Sequence, residues 1–302
     1  MSTEEKKILI TGGTGFVGSF LSEELMREGN YITIVTRDPS RYRETEAANQ
    51  MYIGWDEVES VMDKMDVVIN LAGENLFGQR WTDTVKKKIY NSRIEATRSL
   101  VDAMRASATK PELFISVSGV GIYGDSGDTL LTEDSPHGND FLAEVCTNWE
   151  KEAMVATDLG VRVAIPRLGI VLEKNGGMLE KMYLPFSLFV GGPIGSGEQY
   201  IPWIHMNDLC RALMHPMHST EFSGVYNACS PEPATMSEFA NVLGEVMNRP
   251  SLFRVPEFAL KLVLGEAATP AISSLNVQPK VLQVSGFEFE YENLKLALAD
   301  II

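Results

Sequence analysis

A glycine-rich turn near the start of the chain constrains the fold more than any other feature of the sequence. Residues 11–18 read TGGTGFVG, which fits GxxGxxG from Gly12 and GxGxxG from Gly13. The run Lys7–Thr11 before it predicts a buried strand, and the apolar periodicity of Phe16–Arg27 predicts a helix. Between a strand and a helix, such glycines let a pyrophosphate approach backbone N–H groups. A turn without a ligand is the alternative, but the position favours a dinucleotide site that includes Gly12, Thr14, Gly15, Phe16, Val17 and Gly18.

Strand-like and helix-like segments alternate through the first half of the chain. Further strands are predicted at Tyr31–Thr36, Asp66–Leu71, Leu113–Ser118 and Val161–Pro166, and helices at Thr82–Ala106 and Phe141–Thr157. This alternation is typical of α/β proteins. We therefore predict a Rossmann-type, doubly wound parallel sheet within an NAD(P)-binding domain of about residues 1–230.

The pattern changes after about residue 168, where glycine and proline cluster, as in GGPIGSG at residues 191–197. We interpret this part as a smaller lobe on the substrate side of the sheet. A last segment, Pro250–Ile302, has helical patterns of its own and an alternating, strand-like run at Phe287–Tyr291.

The residues after the second predicted strand distinguish NADP from NAD. An acidic residue there accepts hydrogen bonds from the ribose 2′-hydroxyl of NAD, whereas an arginine can pair with the 2′-phosphate of NADP. Here the strand runs into Thr36 and Arg37, with Arg41 as a second candidate contact. Asp38 has the spacing of the NAD residue but equally begins a DPS turn. The sequence therefore favours NADP(H), bound in part by Thr36 and Arg37.

Charge and cysteine content exclude several classes of protein. With 26 basic and 41 acidic residues the formal charge is −15, which would repel nucleic acid and anionic lipid, so neither is expected as a partner. Cys146, Cys210 and Cys229 show no metal-ligand or disulfide spacing, so no metal site is predicted and a reducing cytoplasm fits best. The charged residues 1–7 leave no room for a signal sequence, and no apolar run reaches the roughly 20 residues of a membrane span.

These features together resemble the extended short-chain dehydrogenase/reductase superfamily. The turn carries this resemblance, together with NLAG at residues 70–73 and IYG at residues 122–124. More narrowly, LAGEN (71–75), RW (80–81), SR (92–93), LPF (184–186), GGPIGSG (191–197) and PWIH (202–205) are similar to an atypical group called epimerase family proteins, some of which are labelled cell-division inhibitors. The resemblance implies cofactor contacts from Leu71, Ala72, Gly73 and Arg93, and a C-terminal domain of about residues 250–298.

The superfamily's Tyr-x-x-x-Lys pair is missing from this chain. In the superfamily the tyrosine acts as acid and base, while the lysine lowers its pKa and holds the ribose. The helix that should carry the pair reads VCTNWEK at residues 145–151. Neither of the two registers considered, Val145 with Trp149 or Cys146 with Glu150, fills these roles.

Three residues are candidates for the catalytic proton transfer instead. Ser118 is one residue from the superfamily's serine position, which falls on Gly119. The phenol of Tyr123 suits proton transfer, although it can equally pack beside the loop. Cys146 could donate a proton or be a small core residue.

Other polar residues have a functional and a structural interpretation. Glu150 and Lys151 could serve acid–base chemistry or form a solvated helix face. His205 could close the edge of the site or bond the backbone. Arg80 and Trp81 could clamp an anion or be a surface pair.

Two hypotheses of different class follow. The first is an NADPH-dependent oxidoreductase or epimerase with a rearranged proton relay, acting on an unknown small molecule. The second is a non-catalytic NADP(H) sensor that presents the 191–197 loop and the C-terminal lobe to a protein partner. A homodimer is a further expectation, since related proteins often pair through long helices such as Thr82–Ala106.

Overall fold

The computed structural model describes residues 5–45, 47–77 and 79–302. Residues 1–4, in which the charged N-terminal segment and the predicted first domain begin, lie outside the described residues, as do 46 and 78. The strands are β1 (Lys7–Thr11), β2 (Tyr31–Val35), β3 (Gln50–Ile53), β4 (Val67–Asn70), β5 (Leu113–Ser116), β6 (Ser118–Gly119), β7 (Leu130–Leu131), β8 (Arg162–Leu168), β9 (Ile170–Glu173), β10 (Tyr200–Ile201), β11 (Trp203–His205), β12 (Gly224–Ala228), β13 (Ala234–Thr235) and β14 (Asn276–Val277). The helices are α1 (Phe16–Arg27), α2 (Val58–Met62), α3 (Asp83–Ala106), α4 (Phe141–Met154), α5 (Gly177–Ser187), α6 (Met206–His218), α7 (Met236–Met247), α8 (Glu257–Leu264), α9 (Thr269–Ile272), α10 (Lys280–Val284) and α11 (Leu294–Ile301).

The central sheet is parallel and has the order β3-β2-β1-β4-β5-β8-β12, with the short β6 also paired to β8. The order reverses between β1 and β4, which creates a crevice at the carboxyl ends of these strands. The prediction of a Rossmann-type α/β fold is confirmed.

Side chains alternate between the two faces of the sheet, so that each face has its own helix layer. Ile8 and Ile10 of β1 pack in one cluster with Leu21 of α1, while Leu9 packs in the opposite cluster with Leu100 of α3. All five side chains are fully buried. The helices on both faces hold the crevice at one edge of a rigid sheet.

Several sequence-based assignments differ from the structure, and the edge strand Gly224–Ala228 was not predicted. Gln50–Ile53 forms a strand that the sequence did not reveal, because this edge strand is short and half-exposed and lacks a clear pattern. The predicted strand Leu113–Ser118 is interrupted at Val117, which separates β5 from β6. The helix predicted from Thr82 begins one residue later, at Asp83. Thr82 is its N-cap, and the Thr82 hydroxyl accepts a hydrogen bond from the Val85 N–H.

The prediction of a strand at Phe287–Tyr291 is wrong. The backbone N–H groups of Glu290 and Tyr291 donate to the two carboxylate oxygens of Asp208, each at 2.9 Å, and not to a neighbouring strand. Asp208 is fully buried at the start of α6, and Arg211 also donates to it at 3.0 Å. A buried carboxylate with three donors therefore anchors the C-terminal segment to α6, which packs on the central sheet beside α1.

Across the three described ranges, no helix combines the length and apolar character needed to cross a membrane.

Candidate active site

The glycine-rich turn lies at the carboxyl end of β1, and its geometry requires glycine at two positions. Gly12 has a φ of +70°, in the left-handed region, and a Cβ atom there would lie 2.6 Å from the Leu71 carbonyl oxygen. A Cβ atom on Gly18 would overlap the carbonyl oxygen of Gly12 and lie 2.7 Å from the Cα of Gly13. These two glycines close the turn against the β4 loop and the first turn of α1.

Gly15 differs from them because it faces outward. It is exposed, has a φ of −88°, and its Cβ would meet only the Gly12 carbonyl oxygen, at 3.1 Å. Gly15 is the N-cap of α1 without a side-chain cap, so the N–H groups of the first helical turn are left for another acceptor. Thr14 is exposed beside it, while Phe16 and Val17 are half-buried. An open backbone at a helix N-terminus fits the pyrophosphate of a dinucleotide.

The residues expected to select NADP lie where β2 ends. Thr36 is half-buried and its N–H donates to the Ile53 carbonyl at 2.9 Å, while Arg37 and Arg41 are exposed. Neither arginine pairs with a carboxylate in the part of the chain that is described. Asp38 accepts a hydrogen bond from the Ser40 hydroxyl at 2.6 Å, in its own turn. Among the described residues the two guanidinium groups have no carboxylate partner and are exposed to an incoming anion, and the Asp38 carboxylate is bonded within its own turn.

A chain of buried hydrogen bonds fixes the floor of the crevice. The Thr11 hydroxyl donates to Asn70 at 2.7 Å, and the Asn70 amide donates to Thr97 at 2.8 Å. The indole N–H of Trp149 donates to the same Thr97 hydroxyl at 2.9 Å. This chain joins β1, β4, α3 and α4, so the elements that border the crevice are held in one arrangement.

The loop after β4 forms the wall opposite the turn. The Leu71 N–H donates to the Thr11 carbonyl at 3.0 Å, and the Ala72 N–H lies 3.3 Å from the Asn70 side-chain oxygen that accepts it. Leu71 and Ala72 are half-buried, and Gly73 is exposed. The structure therefore brings Leu71 and Ala72 against the turn and places Gly73 beside Arg93.

Arg93 reaches this wall from α3. Its guanidinium donates to the carbonyls of Ile89 at 3.0 Å and Glu74 at 3.1 Å, and lies 5.2 Å from the ring of Trp149. A Cβ atom on Gly73 would lie 3.0 Å from its central carbon, so the glycine makes room for it. Burial lowers the pKa of Arg93, and no carboxylate in the described ranges forms an ion pair with it. A partly buried cation that is held by backbone carbonyls and not by an ion pair is suited to bind an anion.

Leu142 and Cys146 are the α4 residues that face the end of β5. A Cβ atom on Gly121 would lie 3.4 Å from Leu142, and one on Gly119 would lie 3.8 Å from the Cys146 sulfur. Ser118, at the same strand end, is buried, and its hydroxyl lies next to the Cys146 thiol. Burial, and then the charge of Glu150, raise the pKa of the Cys146 thiol to about 11. This end of the sheet therefore holds a neutral, buried thiol beside a buried hydroxyl.

Tyr123 lies in a buried polar network. Its hydroxyl donates to Asn227 at 2.7 Å and accepts from Arg167 at 2.9 Å, and Arg167 forms a two-point ion pair with Glu150 at 2.8 and 2.9 Å. Burial raises the pKa of Tyr123 to about 12, partly offset by the charge of Arg167. Glu150 thus serves as the counter-charge of Arg167, whereas Lys151 is exposed.

The remaining sequence candidates hold structure together. The His205 ring stacks on Tyr291 at 3.9 Å, and its Nδ1 accepts from the Asn207 N–H at 3.1 Å. Its Nε2 lies 3.3 Å from Asp300, but without hydrogen-bond geometry. Burial lowers the pKa of His205.

Arg80 and Trp81 also bond to the backbone. Arg80 donates to the Leu262 carbonyl at 2.7 Å, and the Trp81 indole donates to the Leu76 carbonyl at 2.8 Å. Arg80 thereby ties α8 to the segment that precedes α3.

Sequence reasoning missed Arg167, Asn227, Thr97 and the role of Trp149. Arg167 could have been found, because an arginine that continues an apolar strand past Pro166 must be paired when buried. The partners of the other three come from distant segments, and nothing in the sequence shows them.

Fold and site together define a Rossmann protein built to hold a dinucleotide at the β1–β4 crevice. Residues 8–229 match the NAD dependent epimerase/dehydratase family, and residues 255–301 match a domain of unknown function, DUF1731. An epimerase family protein from Staphylococcus haemolyticus is 39% identical over 300 residues, which cover 98% of this chain and 99% of the relative. One from Bacillus subtilis is 37% identical, with 98% and 97% covered.

Among solved structures, a human epimerase family protein crystallised with NADPH has a TM-score of 0.89 and 33% identity, with 98% of both chains covered. A nucleoside-diphosphate sugar epimerase from Corynebacterium glutamicum has a TM-score of 0.79 and 30% identity, covering 99% of this chain and 58% of that one. The chain therefore belongs to the NAD dependent epimerase/dehydratase family, and its resemblance to epimerase family proteins is confirmed. The ligand of the human relative agrees with the predicted cofactor, NADP(H).

Proposed function

We propose that this protein is an NADP(H)-dependent oxidoreductase or epimerase that acts on a small molecule above the carboxyl ends of β4 and β5. The observation that carries the proposal is the open, exposed turn at Gly15, at the carboxyl end of β1. Arg37 and Arg41 lie exposed after the neighbouring strand β2, and neither pairs with a carboxylate among the residues that the structure describes. The human relative crystallised with NADPH supports the same cofactor.

Each wall of the crevice has its own part in holding the cofactor. The turn at Gly12, Thr14, Gly15, Phe16, Val17 and Gly18 offers backbone N–H groups to the pyrophosphate, and Thr36 and Arg37 hold the 2′-phosphate. Leu71, Ala72 and Gly73 line the opposite wall, where Arg93 adds a fixed positive charge. When bound, NADP(H) supplies hydride transfer.

The chain's own residues must then move a proton. Ser118 and Cys146 lie together at the end of the sheet, and the thiol is protonated at neutral pH because burial raises its pKa to about 11. We place the proton transfer on this pair. Tyr123 is the weaker candidate of the three, because Arg167 and Asn227 already occupy its hydroxyl.

A non-catalytic NADP(H) sensor is the second candidate. The observation that favours it concerns the α4 residues Leu142 and Cys146, which face the segment after β5. Leu142 is apolar and burial raises the pKa of the Cys146 thiol to about 11, so neither supplies a group that titrates near neutral pH. In that case the cofactor would stabilise the lobe that packs on the turn, since Phe16 contacts Gly176 and Gly177.

A mass spectrum of the protein purified without added cofactor tests the proposal. We expect NADP(H) to be retained by the wild-type chain and absent from Gly15→Val. NADPH oxidation by the wild-type chain with a panel of aldehydes, ketones and nucleotide sugars then separates the two candidates. Turnover that falls about 10²–10⁴-fold in Cys146→Ala supports the enzyme with this proton donor. No retained nucleotide would contradict both candidates.

A further inference from the structure

The guanidinium of Arg93 is held in a fixed place on the wall after β4. It donates to the backbone carbonyls of Ile89 and Glu74, at 3.0 and 3.1 Å. The N–H of Glu74 donates in turn to the Ser92 hydroxyl at 2.9 Å, so this residue is fixed on both sides. Gly73 leaves the space that the guanidinium fills, because a Cβ atom there would lie 3.0 Å from its central carbon. The fold therefore positions this cation with backbone contacts.

A second set of contacts directs Arg93 toward α4. The indole N–H of Trp149 donates to the Thr97 hydroxyl at 2.9 Å, and that hydroxyl donates to the backbone carbonyl of Arg93 at 2.8 Å. The Arg93 guanidinium lies over the same indole, 5.2 Å from the ring centre. Trp149 and Cys146 are three residues apart on α4 and are therefore neighbours on its surface. Arg93 is thus stacked on the residue one helical turn from the Cys146 thiol.

The Cys146 thiol lies between charges of opposite sign. Burial, and then the charge of Glu150, raise its pKa to about 11, whereas the charge of Arg93 lowers it. Burial lowers the pKa of Arg93 in turn, and the charges of Cys146 and then Glu74 oppose this. Glu150 is already paired with Arg167 at 2.8 and 2.9 Å, so the positive charge of Arg167 is neutralised close by. Of the two arginines beside α4, Arg93 is the one whose charge acts on the thiol without an ion pair among the described residues.

Proton transfer from Cys146 leaves a charge that must be stabilised. When hydride addition has placed a negative charge on the substrate oxygen, the S–H bond breaks and an O–H bond forms on that oxygen. The electron pair stays on sulfur as a thiolate until a solvent proton restores the thiol. The Ser118 hydroxyl and the Gly119 N–H can donate to this thiolate. A buried anion also needs an opposite charge, and one that is already in place requires no rearrangement during the reaction.

We propose that Arg93 is a positioning residue for the proton transfer, because its fixed positive charge stabilises the thiolate that Cys146 forms. The inference rests on the proposed function, in which this thiol is a donor. Arg93 does not give up a proton itself, since a guanidinium stays charged in proteins. Lys151, the one lysine of α4, is exposed and does not supply this charge.

Alkylation of the free protein by iodoacetamide tests the proposal without cofactor or substrate. Only the thiolate reacts, so the rate at Cys146, followed by mass spectrometry of its peptide, depends on the pKa of the thiol. Arg93→Lys and Arg93→Met are compared at about pH 8, because both remove the guanidinium and have side chains of similar length, but only lysine keeps the charge.

The expected difference follows from the thiolate fraction. A pKa that is higher by about one lowers this fraction about tenfold, and the greater nucleophilicity of a more basic thiolate recovers about threefold of the rate. We therefore expect Cys146 to react at least about threefold faster in Arg93→Lys than in Arg93→Met. Equal rates in the two variants, or a faster reaction in Arg93→Met, would overturn the proposal.

Two controls keep the comparison interpretable. Arg98→Met is the matched variant, since Arg98 lies on the same helix but is exposed and paired with Glu152, and it should react as the wild type does. Cys229 is fully buried, so its alkylation reports an opened fold. If Cys229 reacts in Arg93→Met, Arg93→Gln replaces that variant, because glutamine is neutral but still donates hydrogen bonds.

Turnover measurements separate this inference from the proposed function. Equal alkylation rates in Arg93→Lys and Arg93→Met, together with NADPH oxidation that Cys146→Ala abolishes, would overturn the role of Arg93 alone. A threefold difference in alkylation together with wild-type NADPH oxidation by Cys146→Ala would refute the thiol as donor, and with it the use of the Arg93 charge in the reaction.

Discussion

Replacing Gly15 by valine should separate cofactor binding from folding. At a φ of −88° any residue is tolerated, and the added Cβ meets only one atom, at 3.1 Å. Valine is a poor N-cap, so we expect the free energy of unfolding to fall by about 1 kcal/mol. Its methyl groups, however, would fill the space where a pyrophosphate approaches the backbone. We expect the NADPH dissociation constant to rise at least 100-fold, or about 2.7 kcal/mol.

Gly18→Val is the contrasting variant in the same turn. Its Cβ would overlap the Gly12 carbonyl oxygen, so the backbone must move, at a cost of about 1–3 kcal/mol or more. Urea denaturation measures the stability of both variants, and fluorescence titration measures NADPH binding. The reasoning would be refuted by a Gly15→Val protein that binds NADPH as the wild type does, or by a Gly18→Val protein that is as stable as the wild type.

Three further results are expected. Arg167→Met leaves Glu150 buried without its partner, so urea denaturation should show that the free energy of unfolding falls by about 3–5 kcal/mol. Adding Glu150→Gln should restore part of it. A single variant as stable as the wild type would contradict the stabilising role of the ion pair. With pKa values raised by burial to about 12 for Tyr123 and about 11 for Cys146, a rate that depends on either as proton donor should be constant from about pH 6 to 9, and an inflection in that range would point to another group. Burial lowers the pKa of His205 in the folded chain, so below about pH 6.5 the unfolded chain binds more protons and the folded chain loses stability as the pH decreases. Melting temperatures should therefore decrease from about pH 7.5 to 5. An equally steep decrease in His205→Asn would refute the assignment to His205.

The sequence predicted most of the sheet because its strands are short, fully buried apolar runs between clear turns. Lys7–Thr11 and Phe16–Arg27 were predicted to the residue, since the glycines and the helical periodicity mark both ends. The edge strand Gln50–Ile53 was missed because half-exposed positions carry no such pattern. Phe287–Tyr291 alternates like a strand, but the Asp208 carboxylate takes its backbone donors.

The candidate site was less predictable than the fold. The turn could be recognised because the positive φ of Gly12 and the tight approach of Gly18 to the Gly12 carbonyl require glycine within one short stretch of sequence. The position of Cys146 depends on how α4 is rotated against the sheet, which the pair of Arg167 with Glu150 helps to fix, and Tyr123 is held by Arg167 and Asn227. That pair joins residues from two separate elements, and no local pattern shows such a contact.

The preference for NADPH over NADH tests the central claim most directly. Thr36 and Arg37 follow β2, and the nearby carboxylate of Asp38 is bonded within its own turn. A charge-assisted contact from Arg37 to the 2′-phosphate predicts at least tenfold tighter binding of NADPH than of NADH, or about 1.4 kcal/mol. Titration of both cofactors by tryptophan fluorescence should show this ratio, and Arg37→Ala should reduce it. Equal affinities, or a ratio that Arg37→Ala leaves unchanged, would contradict the account.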